Sequence, residues 1–384
     1  MNSLPTFDLT VVGAGPAGTA AAIVAQKAGL RVSVIESAAG AGLRAGESLA
    51  PAALRALRRL GVQSLTDVLD SSEYKPCSAN VSAWGSDAWI YRDALSSPEG
   101  GGFHILRHRF DAGLRMQAQL LGVTLIQGRN LRICPKEKAI ANWVLNVDSP
   151  DDAALTVESR FLIDATGRGA TVARRLGSSR TRVSEQVAAV IWIRHPVDDV
   201  DNTSRIRSVP DGWWYTARLP QGLRVIAFHG LPVNVARLAR KPSQLFEHLA
   251  AAALLPYPVD TASLVQGPIT ADAGVQLSQP LTGVGWLSVG DAALSFDPLS
   301  SQGILFALYS GIRGAEASVR CVMSPESSTA ILAELESSVR NVFDANQRSR
   351  RLFYESERRW LDEPYWRAQR GKWTQAEQGH IRAG

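Results

Sequence analysis

The segment Gly13-Ala14-Gly15-Pro16-Ala17-Gly18 spaces its glycines as a diphosphate-binding turn requires. Gly13 permits a tight turn, and Gly15 lets a pyrophosphate approach the backbone. Gly18 lets the following helix pack close to the preceding strand. The free N–H groups and partial positive charge of that helix start suit a diphosphate. Glu36, at the end of the next apolar run, is a carboxylate placed to accept hydrogen bonds from ribose hydroxyls. The motif does not by itself choose between NAD and FAD. Other chemically able residues are scattered. Glu47 in RAGESLAP reads either as a loop carboxylate near a helix start or as one beside a redox ring, where it could orient a substrate or move a proton. His229, ending VIAFHG, is an acid/base candidate or a satisfied structural histidine.

These residues need elements to hold them. FDLTVVGAGPAGTAAAIVAQKAGLRVSVIES predicts a strand over 9–12, an Ala-rich helix over 16–27 stopped by Gly29, and a β-branched strand over 31–35 ending in Glu36. Residues 49–61 predict a short amphipathic helix with Ser48 as N-cap and Gly61 as C-cap. RFDAGLRMQAQLLG predicts a further helix, VTLIQ a strand, and SRFLIDATGRGATVARRLG another strand, turn and helix. Between 184 and 231 the period changes. QVAAVIWIRH, GWWYTARLP and LRVIAFHGL are apolar, partly alternating runs divided by Pro/Asp/Gly turns, the pattern of an antiparallel meander in its own sheet layer. PSQLFEHLAAAALL reads as helix, GWLSVGDAALSF as strand, and a helix opens at Gly303; from about residue 325 the chain is mostly helical, with a polar, frayed end.

A chain of 384 residues, 45% hydrophobic and 20% charged, suffices for one large α/β domain with a smaller insertion. The net charge of +5 suits an anionic cofactor, and no Lys/Arg run carries interleaved aromatics, so nucleic acid is not an expected partner. Cys77, Cys134 and Cys321 show no CxxC or Cys/His spacing; neither a disulfide framework nor a metal site is expected, and a reducing compartment fits. MNSLPTFDLTVVGAG has no basic leader region or cleavage site, and no apolar run reaches the ~18 residues of a membrane span. A cytoplasmic protein without membrane contact is expected, of an oligomeric state the sequence leaves open.

Later segments resemble a known family. DATGR, residues 164–168, is similar to the ATG element of FAD-dependent hydroxylase-like folds, and VGDAA, 289–293, to the GD element of flavin hydroxylases, whose aspartate (here Asp291) bonds the ribityl chain. RAGESLAP, 44–51, and LRHRFDAGL, 106–114, resemble elements of the tryptophan-halogenase-like branch of flavoprotein monooxygenases, with Arg107 near the flavin or its ribityl chain. On the residues alone, Phe110 and Leu114 are helix core and Arg109 and Asp111 a solvated pair. SFDPLSSQGI, 295–304, is similar to the halogenase form F-x-x-P-L-E-S-x-G-I, one residue shorter between Phe296 and Pro298, and sets Ser300 where that family has its catalytic glutamate. The helix from Gly303 would aim its positive end at the flavin pyrimidine edge and stabilise the anionic reduced form. Halogenases also use a substrate-facing lysine. Lys75 lies near that place, but Pro76 follows it, the spacing to Trp84 differs by one, and the W-x-W-x-I signature is absent. Lys75 therefore reads as a surface or loop lysine.

Together with GWWYTARLP and ERRWLDEPYWRAQR, the stretch 7–370 resembles the flavoprotein monooxygenases that mature tryptophylquinone cofactors of bacterial amine oxidases and dehydrogenases. The fold implied is α/β, a Rossmann-like FAD-binding domain of hydroxylase/halogenase type from 1–70, 100–180 and 280–325. An inserted antiparallel β-sheet substrate domain comes from 71–99 and 181–279, and a helical C-terminal region from 326–384. The resemblance implies FAD contacts at Gly13, Gly15, Ala17, Gly18, Glu36, Arg44, Ser48, Arg107, Asp164, Gly167, Gly290, Asp291, Pro298, Gly303 and Ile304. It implies hydroxylation of an aromatic, tryptophyl group, borne on a peptide or protein, through a flavin C4a-hydroperoxide made from reduced FAD and dioxygen. NAD(P)H would serve directly or through a separate flavin reductase, since no second glycine motif is present. Trp84, Trp213, Trp214, Phe296 and Ser300 are the expected substrate-pocket residues, with sheet or core packing the alternative for each aromatic. The cluster in RSRRLFYESERRW, Ser349 to Trp360, reads as a solvated helix face; Arg350, Arg351 and Arg358 are the residues by which it would dock an acidic peptide. Two other functions stand beside hydroxylation: a tryptophan-type flavin-dependent halogenase, and a non-catalytic flavin-bound maturation chaperone.

Overall fold

The computed structural model describes residues 5–37, 42–94, 100–137, 140–148 and 154–371. They fold as two compact units, one within 1–73, 105–181 and 277–344, the other within 74–104, 182–276 and 345–384.

The first unit is built on a sheet whose main path runs Thr282–Gly283, Trp286–Ser288, Leu155–Asp164, Thr6–Val12, Val32–Glu36 and Thr124–Gln127. From Trp286–Ser288 to Thr124–Gln127 every neighbouring pair is parallel. Buried on both faces, such strands must be apolar throughout, and Leu9, Val11 and Ile163 are fully buried. A hairpin, Arg129–Glu137 with Ile140–Asp148, continues antiparallel from Leu155–Asp164. The helix Pro16–Lys27 opens with Pro at its first turn and is almost wholly buried, which its Ala-rich sequence allows. It packs against Gly303–Met323 at a distance only small residues permit: a Cβ on Gly311 would come 2.2 Å from the Ala17 carbonyl oxygen. The expected helix at 49–61 is shorter. Ser48 lies in the two-residue strand Ser48–Leu49, and the helix is Ala53–Leu60, with Ala52 at its N-cap and left-handed Gly61 (φ 97°) at its C-cap. The N-cap position of this helix is therefore Ala52 and not Ser48.

The second unit holds a seven-stranded sheet in the order Leu264–Asp272, Val187–Arg194, Leu223–Gly230, Gly212–Arg218, Ser204–Val209, Ala79–Ala83, Ile90–Asp93. The meander expectation is corrected. Leu223–Gly230, not Gly212–Arg218, lies beside Val187–Arg194, because a further strand, Ser204–Val209, forms a hairpin with Gly212–Arg218. That strand, SRIRSV, alternates arginine with serine and isoleucine and carries little hydrophobic signal. Helices Pro232–Ala239 and Pro242–Ala251 supply Val235, Leu238, Leu245 and Phe246 to the core on one face of the sheet. The long helix Ser328–Ser356 and the short Pro364–Gly371 close the described chain. No helix of the described residues is long and apolar enough to cross a membrane.

Candidate functional site

The strand Thr6–Val12 delivers the chain into Gly13, whose φ of +105° suits glycine alone. A Cβ there would sit 2.3 Å from the Ala165 carbonyl oxygen, and one on Gly18 would sit 1.9 Å from Gly13's oxygen. These two glycines allow the DATGR turn and the first helix to close on one another. Gly15 differs: among the described residues no atom lies within 4 Å of a Cβ built on it, and as N-cap of Pro16–Lys27 it has no side-chain cap. An open backbone cradle at an uncapped helix start is what a diphosphate needs. Glu36 reaches this turn. Its Oε2 accepts from Ala14 N at 2.5 Å, and its Oε1 from the Ser37 hydroxyl at 3.2 Å.

Asp164 stands behind the turn. Its side chain is fully buried, one oxygen accepting from the Thr166 N–H (2.9 Å) and hydroxyl (2.6 Å), the other from Ala173 N–H (2.7 Å). The Asp164 carboxylate shapes the loop and is not presented outward. Gly167 (φ 67°) is open on its Cβ side. The carbonyl of Asp164 accepts from Val289 N–H at 2.9 Å, tying DATGR to VGDAA. Gly290 (φ 57°) then lies against the first helix, and its N–H donates to Ser310 Oγ at 2.8 Å. Asp291 is partly exposed and pairs with Arg168 at 3.5 Å, while Arg168 Nη2 donates to the Phe296 carbonyl at 3.1 Å. The role of Arg168 as the link between Asp291 and the 296 segment was missed, although the residue ends the DATGR motif.

In the 295–304 segment, Asp297 is buried and its Oδ1 accepts from Leu299 N–H at 3.0 Å, capping the turn Pro298–Ser300. The Ser300 hydroxyl donates to the Asp297 carbonyl (2.9 Å) and accepts from Gln302 N–H (3.3 Å). Ser301 takes φ 50°, and the helix Gly303–Met323 begins with no side-chain cap and no atom within 4 Å of a Cβ on Gly303. Ile304 is buried. Phe296, expected in the substrate wall, is 5% exposed and packs edge-on to Phe306 at 4.8 Å in a core cluster with Leu277, Leu281 and Val339.

RAGESLAP and LRHRFDAGL meet one another through Arg107, Arg44 and Asp111. Arg107 Nε donates to Asp111 Oδ1 at 2.8 Å, Arg107 Nη1 to the Gly46 carbonyl at 3.3 Å, and Arg44 lies 3.9 Å from Asp111. Asp111, read as half of a solvated pair, is 2% exposed, and Arg109 pairs with Glu73 at 3.2 Å. One helical turn separates Arg107 from Asp111, so both face the same way. Glu47 is buried, its Oε2 accepting from Gly46 N–H at 2.8 Å. Burial, with the Arg109 charge, holds the neighbouring His108 imidazole below its ordinary pKa.

The remaining candidates belong to the second unit. Trp213 and Trp214 are adjacent on a strand and so point to opposite faces. Trp214 is in the core beneath the two helices, 5.0 Å from the Phe228 ring, its indole donating to His248 Nδ1 at 3.2 Å, which is the core-packing alternative given for it. Trp213 is stacked on its cross-strand partner His229 at 3.7 Å and 5°. His229 is buried beneath that ring. Trp84 meets Trp213, Tyr354 and Trp366 edge-on and donates to the Phe353 carbonyl at 2.9 Å. Lys75 lies in the short strand Tyr74–Pro76 and is half-buried. Arg350 is no surface residue: it is buried, bonded to Gln369 and laid over the Tyr354 ring at 4.6 Å. Arg351 is exposed and pairs with Glu355. The basic cluster is therefore part packing and part surface.

The parallel sheet, the open glycine turn and the acid at the next strand end define an α/β protein built for an adenine dinucleotide. The family described as an FAD binding domain matches residues 6–304, and the chain belongs to it. Among known proteins, LodB of Marinomonas mediterranea, named an FAD-dependent oxidoreductase, is 26% identical over 94% of this chain and 96% of its own length. Among solved structures, CmlS, a flavin-dependent halogenase, superposes with a TM-score of 0.81 at 22% identity, covering 100% of this chain and 70% of that one. QhpG, a peptidyl tryptophan dihydroxylase essential for tryptophylquinone cofactor biogenesis, gives 0.77 at 24% identity, covering 96% and 79%. The likeness is to an FAD-dependent halogenase/hydroxylase fold and does not single out the quinone-maturation subgroup, since CmlS superposes at least as well.

Proposed function

We propose that the protein is an FAD-dependent monooxygenase that hydroxylates an aromatic group, tryptophyl and carried on a peptide. Its open turns fit the cofactor. Backbone at Gly15 and Gly303 would meet the diphosphate and the flavin ring, Glu36 the ribose, and Asp291, held by Arg168, the ribityl chain. FAD, once reduced by NAD(P)H directly or through a separate reductase, supplies dioxygen activation. One oxygen atom enters the aromatic C–H and the other leaves as water. Arg107, braced by Asp111, would anchor the 44–48 loop at Gly46 and so position its one buried carboxylate, Glu47.

The observation that carries hydroxylation over halogenation is at Ser300. Where the resembling halogenases place a glutamate, this chain has a hydroxyl already spent on its own turn, and the nearby Asp297 carboxylate caps that turn. Neither is presented as a free base for making a halogenating species. Both the name of LodB and the described activity of QhpG are compatible with oxygen transfer. The test is mass spectrometry of a tryptophan peptide incubated with the protein, reduced FAD and isotope-labelled dioxygen, with and without bromide. Label in the peptide supports the proposal. A bromide-dependent product means halogenation, and flavin reoxidation with unmodified peptide means a non-catalytic role.

A further inference from the structure

The geometry points to a recognition element in the second unit for an aromatic ring that carries an amide group. It rests on the reading of the substrate as peptide-borne and names the residue that would sense the peptide. Gln347, Arg350 and Tyr354 fall at i, i+3 and i+7 of helix Ser328–Ser356 and so share a face. All are buried, at 3%, 6% and 1% exposure. Arg350 bonds Gln369 Oε1 and covers the Tyr354 ring, which is 5.8 Å from Trp84; Trp84 in turn is 6.4 Å from Trp213. Rings and amides thus run together along one face of the helix.

Several polar atoms here have no hydrogen-bond partner among the described residues. Both the nitrogen and the oxygen of the Gln347 carboxamide are buried and unbonded, as are the Gln369 amide nitrogen and the Trp213 indole N–H. A buried donor or acceptor without a partner is destabilising, and methionine would fill the volume of Gln347 without that penalty. A group offering a donor and an acceptor side by side complements a carboxamide, and a peptide bond or primary amide is that group. Trp84, half-buried beside the covered rings of Trp213 and Tyr354, keeps the surface of this cluster on which a second aromatic ring would pack. Gln347 is therefore a specificity-determining residue that reads the amide beside the ring and touches no reacting atom.

The test compares N-acetyltryptophanamide with 3-methylindole by calorimetry on the FAD-loaded protein. The wild type should bind the amide probe at least about tenfold more tightly. Gln347→Met should reduce that preference to within about twofold while leaving 3-methylindole affinity and the flavin spectrum unchanged. Gln347→Glu, which keeps an acceptor but loses the donor, serves if the methionine variant does not fold and should also lose the preference. No amide preference in the wild type, or an unchanged preference in a folded variant, overturns the inference. The labelled-dioxygen assay separates it from the hydroxylation reading. Labelled product with a KM unaltered by Gln347→Met sinks only the recognition element. A Gln347-dependent preference without labelled product sinks only hydroxylation.

Discussion

Gly290 rests on Ala17: a Cβ built on Gly290 would lie 2.7 Å from the Ala17 Cβ, closer than any real pair of methyl carbons. That contact locks the VGDAA turn to the start of the first helix, so the ends of the family-matched region meet at one place. It also separates two kinds of glycine. Gly290, Gly13 and Gly18 are crowded by protein, whereas Gly15 and Gly303 face open space.

Gly290→Ala therefore combines a left-handed backbone, at φ 57°, with overpacking against a helix that cannot yield. The expected loss is about 2–4 kcal/mol of stability, seen as a lower Tm with or without flavin. An unshifted Tm would mean that the turn does not close on the helix as described.

Gly15→Ala should behave oppositely. At φ −75° with nothing within 4 Å, alanine costs the fold under about 1 kcal/mol. FAD affinity should fall more than about tenfold, because the methyl group occupies the approach of the pyrophosphate. Flavin titration of the apoprotein checks this, and full retention of affinity would remove Gly15 from the cofactor site.

Asp111→Asn takes away the carboxylate that Arg107 and Arg44 share. Arg107 would then hold the Gly46 carbonyl less firmly, and the loop bearing Glu47 would loosen. A stability loss of about 1–3 kcal/mol is expected, with a weaker hold on FAD. Parallel melting curves and flavin titrations of wild type and variant decide it; no change in either would show that the pair is incidental.

The legibility of the chain follows from how each signal arises. The βαβ unit was readable nearly to the residue, since a glycine turn, an Ala-rich helix and a β-branched strand are each local patterns, and the helix is Pro16–Lys27 as expected. The strand order of the second sheet was not, because Ser204–Val209 is mostly arginine and serine, with little apolar signal, and its second neighbour, Ala79–Ala83, is distant in sequence. At the site, the glycines and Glu36 were legible from spacing. Asp111 and Arg168 were visible as residues, yet their partners come from other segments, so no spacing announced the pairing. Trp213 and Trp214 show what alternation adds: neighbours on one strand point to opposite faces, and Trp214 takes the core packing given as its alternative.

Ser300→Ala removes a hydroxyl that only braces the turn Pro298–Ser300. Turnover should stay within about threefold of wild type, as expected for a residue that moves no proton. A drop of about a hundredfold in kcat at unchanged flavin content would make Ser300 catalytic and overturn this account.

Stability should fall in acid, from groups of the second unit. Burial drives the His104 imidazole down to about 4 from 6.5, with its Nε2 2.9 Å from Ser204 Oγ. Burial pushes the Glu357 carboxyl up, but hydrogen bonds from Arg359 and Ser208 outweigh it and hold the group at about 2, below its ordinary 4.5. Both folded-state values are depressed, so the unfolded chain binds more protons across each interval. Their stabilisation is complete above pH 6.5 for His104 and above 4.5 for Glu357, and is lost as pH falls toward 4 and 2. For the fully buried His104 this amounts to about 3 kcal/mol between neutrality and pH 4. Urea midpoints measured from neutral pH downward should decline from about pH 6.5. His104→Gln, which can still bond Ser204 but cannot gain a proton, should flatten the upper part of that decline and leave the part below about 4.5 to Glu357 and the other carboxylates. An identical slope in wild type and variant would show that His104 is not held neutral by its surroundings.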